Sequence, residues 1–210
     1  MEAAVEPVRQ PDKRMQKTKG AIRSALLGLL SQKDASRINV SELTEAAEIS
    51  RKTFYLHYSS VEEAVTELEN EIEQKVITAL RQSNFWENRH DLYTVFSQVD
   101  KVLREDADCA RYLHSRYARF VMMYKLKAAI KRTVLEQTRG KVEADESDLD
   151  AVTDFAVSGI VSMYYEWLKA QKLTLRQLAE KANRILSYSL MSLTGKKTEE
   201  KEQSKEDGET

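Results

Sequence analysis

From Ser50 to Tyr58 the chain reads SRKTFYLHY, which crowds two adjacent cations, a threonine, three aromatics and a histidine into nine residues. Arg51 and Lys52 can pair with guanine acceptors or with phosphate, and the methyl of Thr53 can meet that of thymine. Tyr55 and His57 carry an O–H and an N–H suited to phosphate oxygens, contacts that position a protein without reading sequence. Phe54 is expected to face inward and Tyr58 to fold back under the next helix. The competing reading is an amphipathic helix whose aromatics are all core, the commoner fate of each taken singly. It leaves the two cations and the charge around them without a role.

That charge is local. From Lys13 to Tyr58 there are nine Lys/Arg (Lys13, Arg14, Lys17, Lys19, Arg23, Lys33, Arg37, Arg51, Lys52) against Asp34, Glu42, Glu45 and Glu48, in a chain of formal net charge −1. An excess of five positive charges in the first quarter of an otherwise mildly acidic chain is the footprint of one nucleic-acid-binding surface, not of a basic coat.

Such a surface needs short elements to hold it. Asn39 opens a short helix with Glu42 three residues later, the spacing of a capping box, and Val40, Leu43, Ala46 and Ala47 form its apolar side. Ser50 can cap the next helix, Arg51 to about His57. Two short capped helices joined at AAEIS have the length and spacing of a helix-turn-helix, whose second helix enters the major groove. A helix over about Lys13–Gln32 precedes them, with Ile22, Ala25, Leu26, Leu29 and Leu30 on one face. Ser60 and Glu63 form another capping box, opening a long helix through Leu68, Ile72, Val76 and Leu80.

The rest of the chain continues in the same manner. Of 210 residues only two are proline, Pro7 and Pro11, and good helix formers dominate thereafter, so the fold class is all-α. Further helices are expected near Asp91–Arg104, Ala107–Arg116, Tyr117–Thr138, Asp148–Lys172 and, capped by Thr174 with Gln177, Thr174–Leu193. The expected organisation is a flexible arm over 1–12, a helix-turn-helix domain over 13–59, a larger helical domain over 60–194 and a disordered tail over 195–210.

The segment INVSELTEAAEISRKTFYLHYSSVEEAV, Ile38 to Val65, resembles the helix-turn-helix of the TetR family of bacterial repressors. The family pattern is close to T-x-x-x-I-A-x-x-A-G-V-S-x-x-T-[FL]-Y-x-[HY]-F-x-x-K-[ED], matched here by Ala47, Ile49, Ser50, Thr53, Phe54, Tyr55, His57 and Tyr58. Two positions depart from it. Glu48 stands where the family has glycine, so it either bears a positive φ or the turn has relaxed. Val61 replaces a lysine placed to meet a phosphate, which removes one expected backbone contact.

The resemblance implies a cytoplasmic transcriptional regulator binding a double-stranded DNA operator as a homodimer, with Asn39, Ser41, Arg51, Lys52, Thr53, Tyr55 and His57 toward DNA. It further implies a small-molecule effector pocket among Trp86, Phe96, Tyr112, Phe120, Met123, Tyr124 and Tyr164. The alternative is a regulator of this kind without such a ligand, controlled by a protein partner or by abundance. Phe155 to Leu190 looks like the last two helices of many such regulators, which build a four-helix bundle with a second subunit. The interface is expected to use Phe155, Gly159, Met163, Trp167, Leu178, Ala182, Ile185, Leu186 and Leu190.

Other chemistry finds little support. Cys109 is the single cysteine, which excludes an intrachain disulfide and a cysteine-based metal site. His57, His90 and His114 lie far apart without metal-ligand spacing, and no phosphate loop or nucleophile motif occurs, so neither an enzyme nor a cofactor is expected. No apolar run approaches the roughly twenty residues that cross a bilayer, and no signal peptide is expected in Met1–Gln16.

Overall fold

A computed structural model of the chain describes residues 13–84, 91–113, 115, 118–139 and 144–206; the side chains of residues 118–121, 190 and 192–206 fall outside the description. The elements are α1 (Lys13–Leu30), a single 3-10 turn (Ala35–Arg37), α2 (Val40–Ala46), α3 (Arg51–Tyr55), α4 (Val61–Gln82), α5 (Leu92–Glu105), α6 (Ala107–Leu113), α7 (Ala118–Thr138), α8 (Glu146–Ala170) and α9 (Leu175–Glu206). There is no strand among the described residues, as the all-α expectation requires. None of their helices is long and apolar enough to cross a membrane. The expected arm over 1–12 lies outside the described residues.

The described residues form two compact units, one drawn from 13–70 and 111–119 and the other from 71–110 and 120–206. The division falls inside α4, ten residues after the helix begins, where the sequence reading puts it at Ser59. The reason is the burial of Val61, Ala64, Val65 and Leu68 on the first turns of α4, which complete the first core. Around them Ile22, Leu26, Leu27 and Leu30 of α1 recur at helical spacing and are buried with Leu43, Phe54 and Tyr58. Tyr112 donates a 2.7 Å hydrogen bond to Glu69 within this unit, and both side chains are buried. Arg111 donates to the Ser24 carbonyl at 3.1 Å, which fastens the same segment to α1.

The second unit buries Ile72, Val76 and Leu80 of α4, Leu92, Val95, Phe96 and Leu103 of α5, and Leu149, Ala156 and Val157 of α8. α9 packs on α5 and α8. Asn183 of α9 accepts from the Leu92 N–H at 3.1 Å, satisfying a free donor at the start of α5. Asp106 lies between α5 and α6: its Oδ1 accepts from the Cys109 N–H at 3.0 Å and its Oδ2 from Lys75 at 2.6 Å. Burial alone would raise the Asp106 carboxyl, but the hydrogen bonds from Lys75 and Cys109 outweigh it and bring it to about 2. Burial first, and Asp106 second, push the Cys109 thiol up to about 12.

Two expectations need correction in this unit. Leu178 and Ala182 are 3% and 0% exposed, so they belong to the core of their own chain and not to an intersubunit surface. Both fall at the spacing that faces α9 toward α5 and α8. α9 also runs on to Glu206, through the stretch read as a disordered tail from 195, because lysine, glutamate and glutamine without proline favour helix. Five of the seven expected pocket residues can be placed among the described residues. Phe96 and Tyr164 do meet, rings 5.3 Å apart, but as packed core. The Tyr164 hydroxyl donates to Asp100 at 3.0 Å, and burial followed by the Asp100 charge pushes the phenol upward. Tyr112 belongs to the first unit, Tyr124 is 78% exposed and Met123 is half-buried. Trp86 and the side chain of Phe120 lie outside the described residues. Described clefts of about 710 Å³ beside Gln177 and Arg184, and about 490 Å³ beside Lys131 and Leu135, are lined by none of the seven.

Candidate nucleic-acid interface

The interface is built on α2, the turn after it, and α3, all within the first unit. Asn39 caps α2, its Oδ1 accepting from the Glu42 N–H at 3.0 Å. The box is half made, because the Glu42 carboxylate pairs with Lys33 instead of returning to Asn39. Asn39 is therefore a cap first, with its Oδ1 already engaged.

α2 ends in a two-bond turn. The Glu48 N–H donates to the Glu45 carbonyl at 3.1 Å and the Ile49 N–H to the Thr44 carbonyl at 3.0 Å, the pairing of a Schellman motif. That motif needs a left-handed residue at its centre, and Glu48 supplies it with φ 54°. The turn has kept the geometry a glycine would take, and Glu48 bears the strain.

Ser50 caps α3 by accepting from the Thr53 N–H at 3.0 Å, and the two hydroxyls lie 2.8 Å apart. Phe54 is fully buried and Tyr58 nearly so, their rings 5.8 Å apart. This pair sets the rotation of α3. With Phe54 inside, Lys52 is exposed, and Tyr55 is 58% exposed with its ring edge-on to Phe54. The inward and outward expectations for Phe54, Tyr58, Lys52 and Tyr55 agree with this placement.

Other expected residues are engaged within the chain. Arg51 donates its guanidinium to the Ser41 hydroxyl, so the two reach outward as a linked pair. Thr53 is half-buried and shares its hydroxyl with Ser50. His57 is half-buried, and its Nδ1 is buried with no hydrogen-bond partner among the described residues, so that nitrogen is not the atom offered to a phosphate. Leu56, not among the sequence candidates, is 75% exposed. Helical spacing signals it, four residues after Lys52, but its residue type hides it from a search for polar contacts.

Behind α3, Ser60 caps α4 and accepts from the Glu63 N–H at 3.2 Å. The Glu63 carboxylate accepts from both the hydroxyl and the N–H of Ser59 at 2.6 Å, which holds it below the usual carboxylate range. Lys19 pairs with Glu67 at 2.8 Å and lies 5.2 Å above the Tyr58 ring. Lys19 and Lys33 are thus part of the scaffold, and the outward charge falls to cations such as Lys13, Lys17, Arg37 and Lys52, all exposed. No group of three His, Cys, Asp or Glu that could hold a metal ion occurs among the described residues.

The sequence matches no protein-family model and no curated protein. Among solved structures the chain is similar to a TetR transcriptional regulator from Streptococcus agalactiae 2603V, with TM-score 0.62 and 24% identity over 83% of this chain and 96% of that one. It is similar also to SmeT, the repressor of the Stenotrophomonas maltophilia multidrug efflux pump SmeDEF, with TM-score 0.56 and 16% identity over 86% of this chain and 92% of that one. The fatty acid degradation regulator FadR from Bacillus halodurans gives TM-score 0.54 and 16% identity over 85% of this chain and 96% of that one. The chain has the all-α fold of the TetR-family transcriptional regulators.

Proposed function

We propose that this chain is a sequence-specific DNA-binding transcriptional regulator, acting in the cytoplasm as a homodimer on a near-palindromic operator. The observation that carries the reading is the outward edge of α3, where Lys52 and Tyr55 are exposed over a buried Phe54 behind a strained but intact helix-turn-helix turn. Lys52 is the base reader with the freest reach, directed at guanine acceptors. Arg51 joins it by exchanging Ser41 for a base or a phosphate. Thr53 offers its methyl, Tyr55 and the remaining N–H face of His57 meet phosphates, and Asn39 and Ser41 flank them. The local positive charge supplies the sequence-independent part of the affinity.

In this reading the second unit carries dimerisation, through the exposed Phe155 and Gly159 of α8 and Ile185 of α9, together with the half-buried Met163, Trp167 and Leu186. The regulator acts as a repressor that a small-molecule effector releases. A second reading, control by a protein partner or by abundance, is supported by the ring-on-ring packing of Phe96 and Tyr164 where a ligand was expected.

Selection of operators from random DNA at one fixed salt concentration tests the reading. Wild type should enrich a symmetric motif. Lys52→Ala should relax one symmetric pair of positions, at about 1–3 kcal/mol of lost discrimination, while Tyr55→Ala should weaken all sequences alike. Enrichment of no symmetric motif by the wild type would sink the proposal.

A further inference from the structure

We infer that Leu56 reads the 5-methyl group of a thymine in each half of the operator; the inference rests on the DNA-binding reading above. Leu56 is 75% exposed, more than any other large apolar residue among the described residues of the first unit. A single exposed leucine needs no explanation in general, but this one has a fixed direction. It keeps helical geometry at the end of α3, with φ −75° and ψ −16°. It follows Lys52 by four residues and therefore shares the face of α3 that Lys52 presents. Phe54 and Tyr58, both buried, prevent the helix from turning Leu56 inward without pulling an aromatic out of the core.

A leucine side chain can neither donate nor accept a hydrogen bond. Phosphates and most base edges therefore offer it nothing. The one apolar group on the major-groove edges of the four bases is the thymine C5 methyl. An outward leucine on a helix in that groove selects for that methyl and discriminates thymine from cytosine at the same position. Burying one methyl-sized group is worth about 0.8 kcal/mol, which is about fourfold in Kd per half-site and roughly fifteenfold for both halves.

The test uses the full chain and the operator it selects from random DNA. Each symmetric thymine pair is replaced by uracil, which deletes only the methyl, and Kd is measured by fluorescence anisotropy at fixed salt for wild type and Leu56→Ala. One pair should cost the wild type roughly fifteenfold and cost Leu56→Ala nothing. Replacing that thymine by 5-methylcytosine should retain more affinity than cytosine for the wild type, and give no such advantage to Leu56→Ala. The inference is overturned if no uracil pair weakens the wild type, if the selected operator lacks thymine, or if Leu56→Ala keeps the full sensitivity. Those results leave the regulator reading standing, whereas selection of no symmetric motif removes both.

Discussion

Glu48 holds a left-handed conformation, φ 54°, inside a turn whose two backbone hydrogen bonds require it. A non-glycine residue there costs roughly 1–2 kcal/mol. Glu48→Gly should therefore raise stability by about 1 kcal/mol, since glycine loses more entropy on folding and offsets part of the gain. In a chain of this size that is a melting-temperature rise of about 2–4 °C, read by circular dichroism. A fall in melting temperature would show that the Glu48 side chain contributes more than its backbone costs. The sequence exposed this position because the surrounding pattern has glycine there, but it left open strain or relaxation. It could not reveal that Arg51 is held by Ser41, ten residues away, since that pairing depends on how α2 and α3 pack. A buried Nδ1 on His57 was equally beyond reach, because burial of one ring atom is set by neighbours that no spacing rule identifies.

At the scale of elements, caps were the most legible feature and their side-chain reciprocity the least. Thr174 and Gln177 close their box in both directions, at 2.9 and 3.2 Å. Glu42 and Glu63 do not, because Lys33 and Ser59 compete for their carboxylates. Thr174→Ala should cost about 1 kcal/mol, a loss visible as a lower urea midpoint with unchanged slope; no shift would mean that packing alone sets the start of α9. The step from α5 to α6 gives a pH-dependent prediction. The folded Asp106 carboxyl, at about 2, lies below its ordinary 3.8, so its contribution is complete above the ordinary value and disappears as pH falls through about 2. Asp106→Asn keeps an acceptor for the Cys109 N–H and removes the charge facing Lys75. It should cost about 0.5–1 kcal/mol at pH 7, and the gap from wild type should close between pH 4 and pH 2. A gap that stayed constant across that range would assign the effect to the cap and not to the ion pair.

At the scale of the whole molecule, helical periodicity was enough to read the fold class, but not which apolar residues stay outside. Leu178, Ala182 and Ile185 all belong to one apolar pattern in the sequence, yet the first two are buried in their own chain while Ile185 is 42% exposed. The difference arises because α5 and α8 cover only part of α9. Phe155 on α8, with Tyr188 and Met191 on α9, is more exposed still, at 69%, 74% and 64%. Large apolar side chains concentrated on two helices that pack together fit an interface better than a solvated surface. At Gly159 a Cβ would meet nothing within 4 Å, so the glycine is not required by its own chain and leaves room for a neighbouring helix. A two-fold dimer through these helices makes two contrasting predictions. Ile185→Glu with Tyr188→Glu should turn a dimer into a folded monomer at micromolar concentration, read by light scattering, with circular dichroism unchanged and affinity for the palindromic operator lost. Leu178→Ala should instead leave the dimer intact and lower stability by about 2–5 kcal/mol, as cavities in a packed core do. If the wild type scatters as a monomer at micromolar concentration, the dimer fails. If the double glutamate variant remains a dimer, the interface lies on another face, and the exposed residues of α8 and α9 need a different partner.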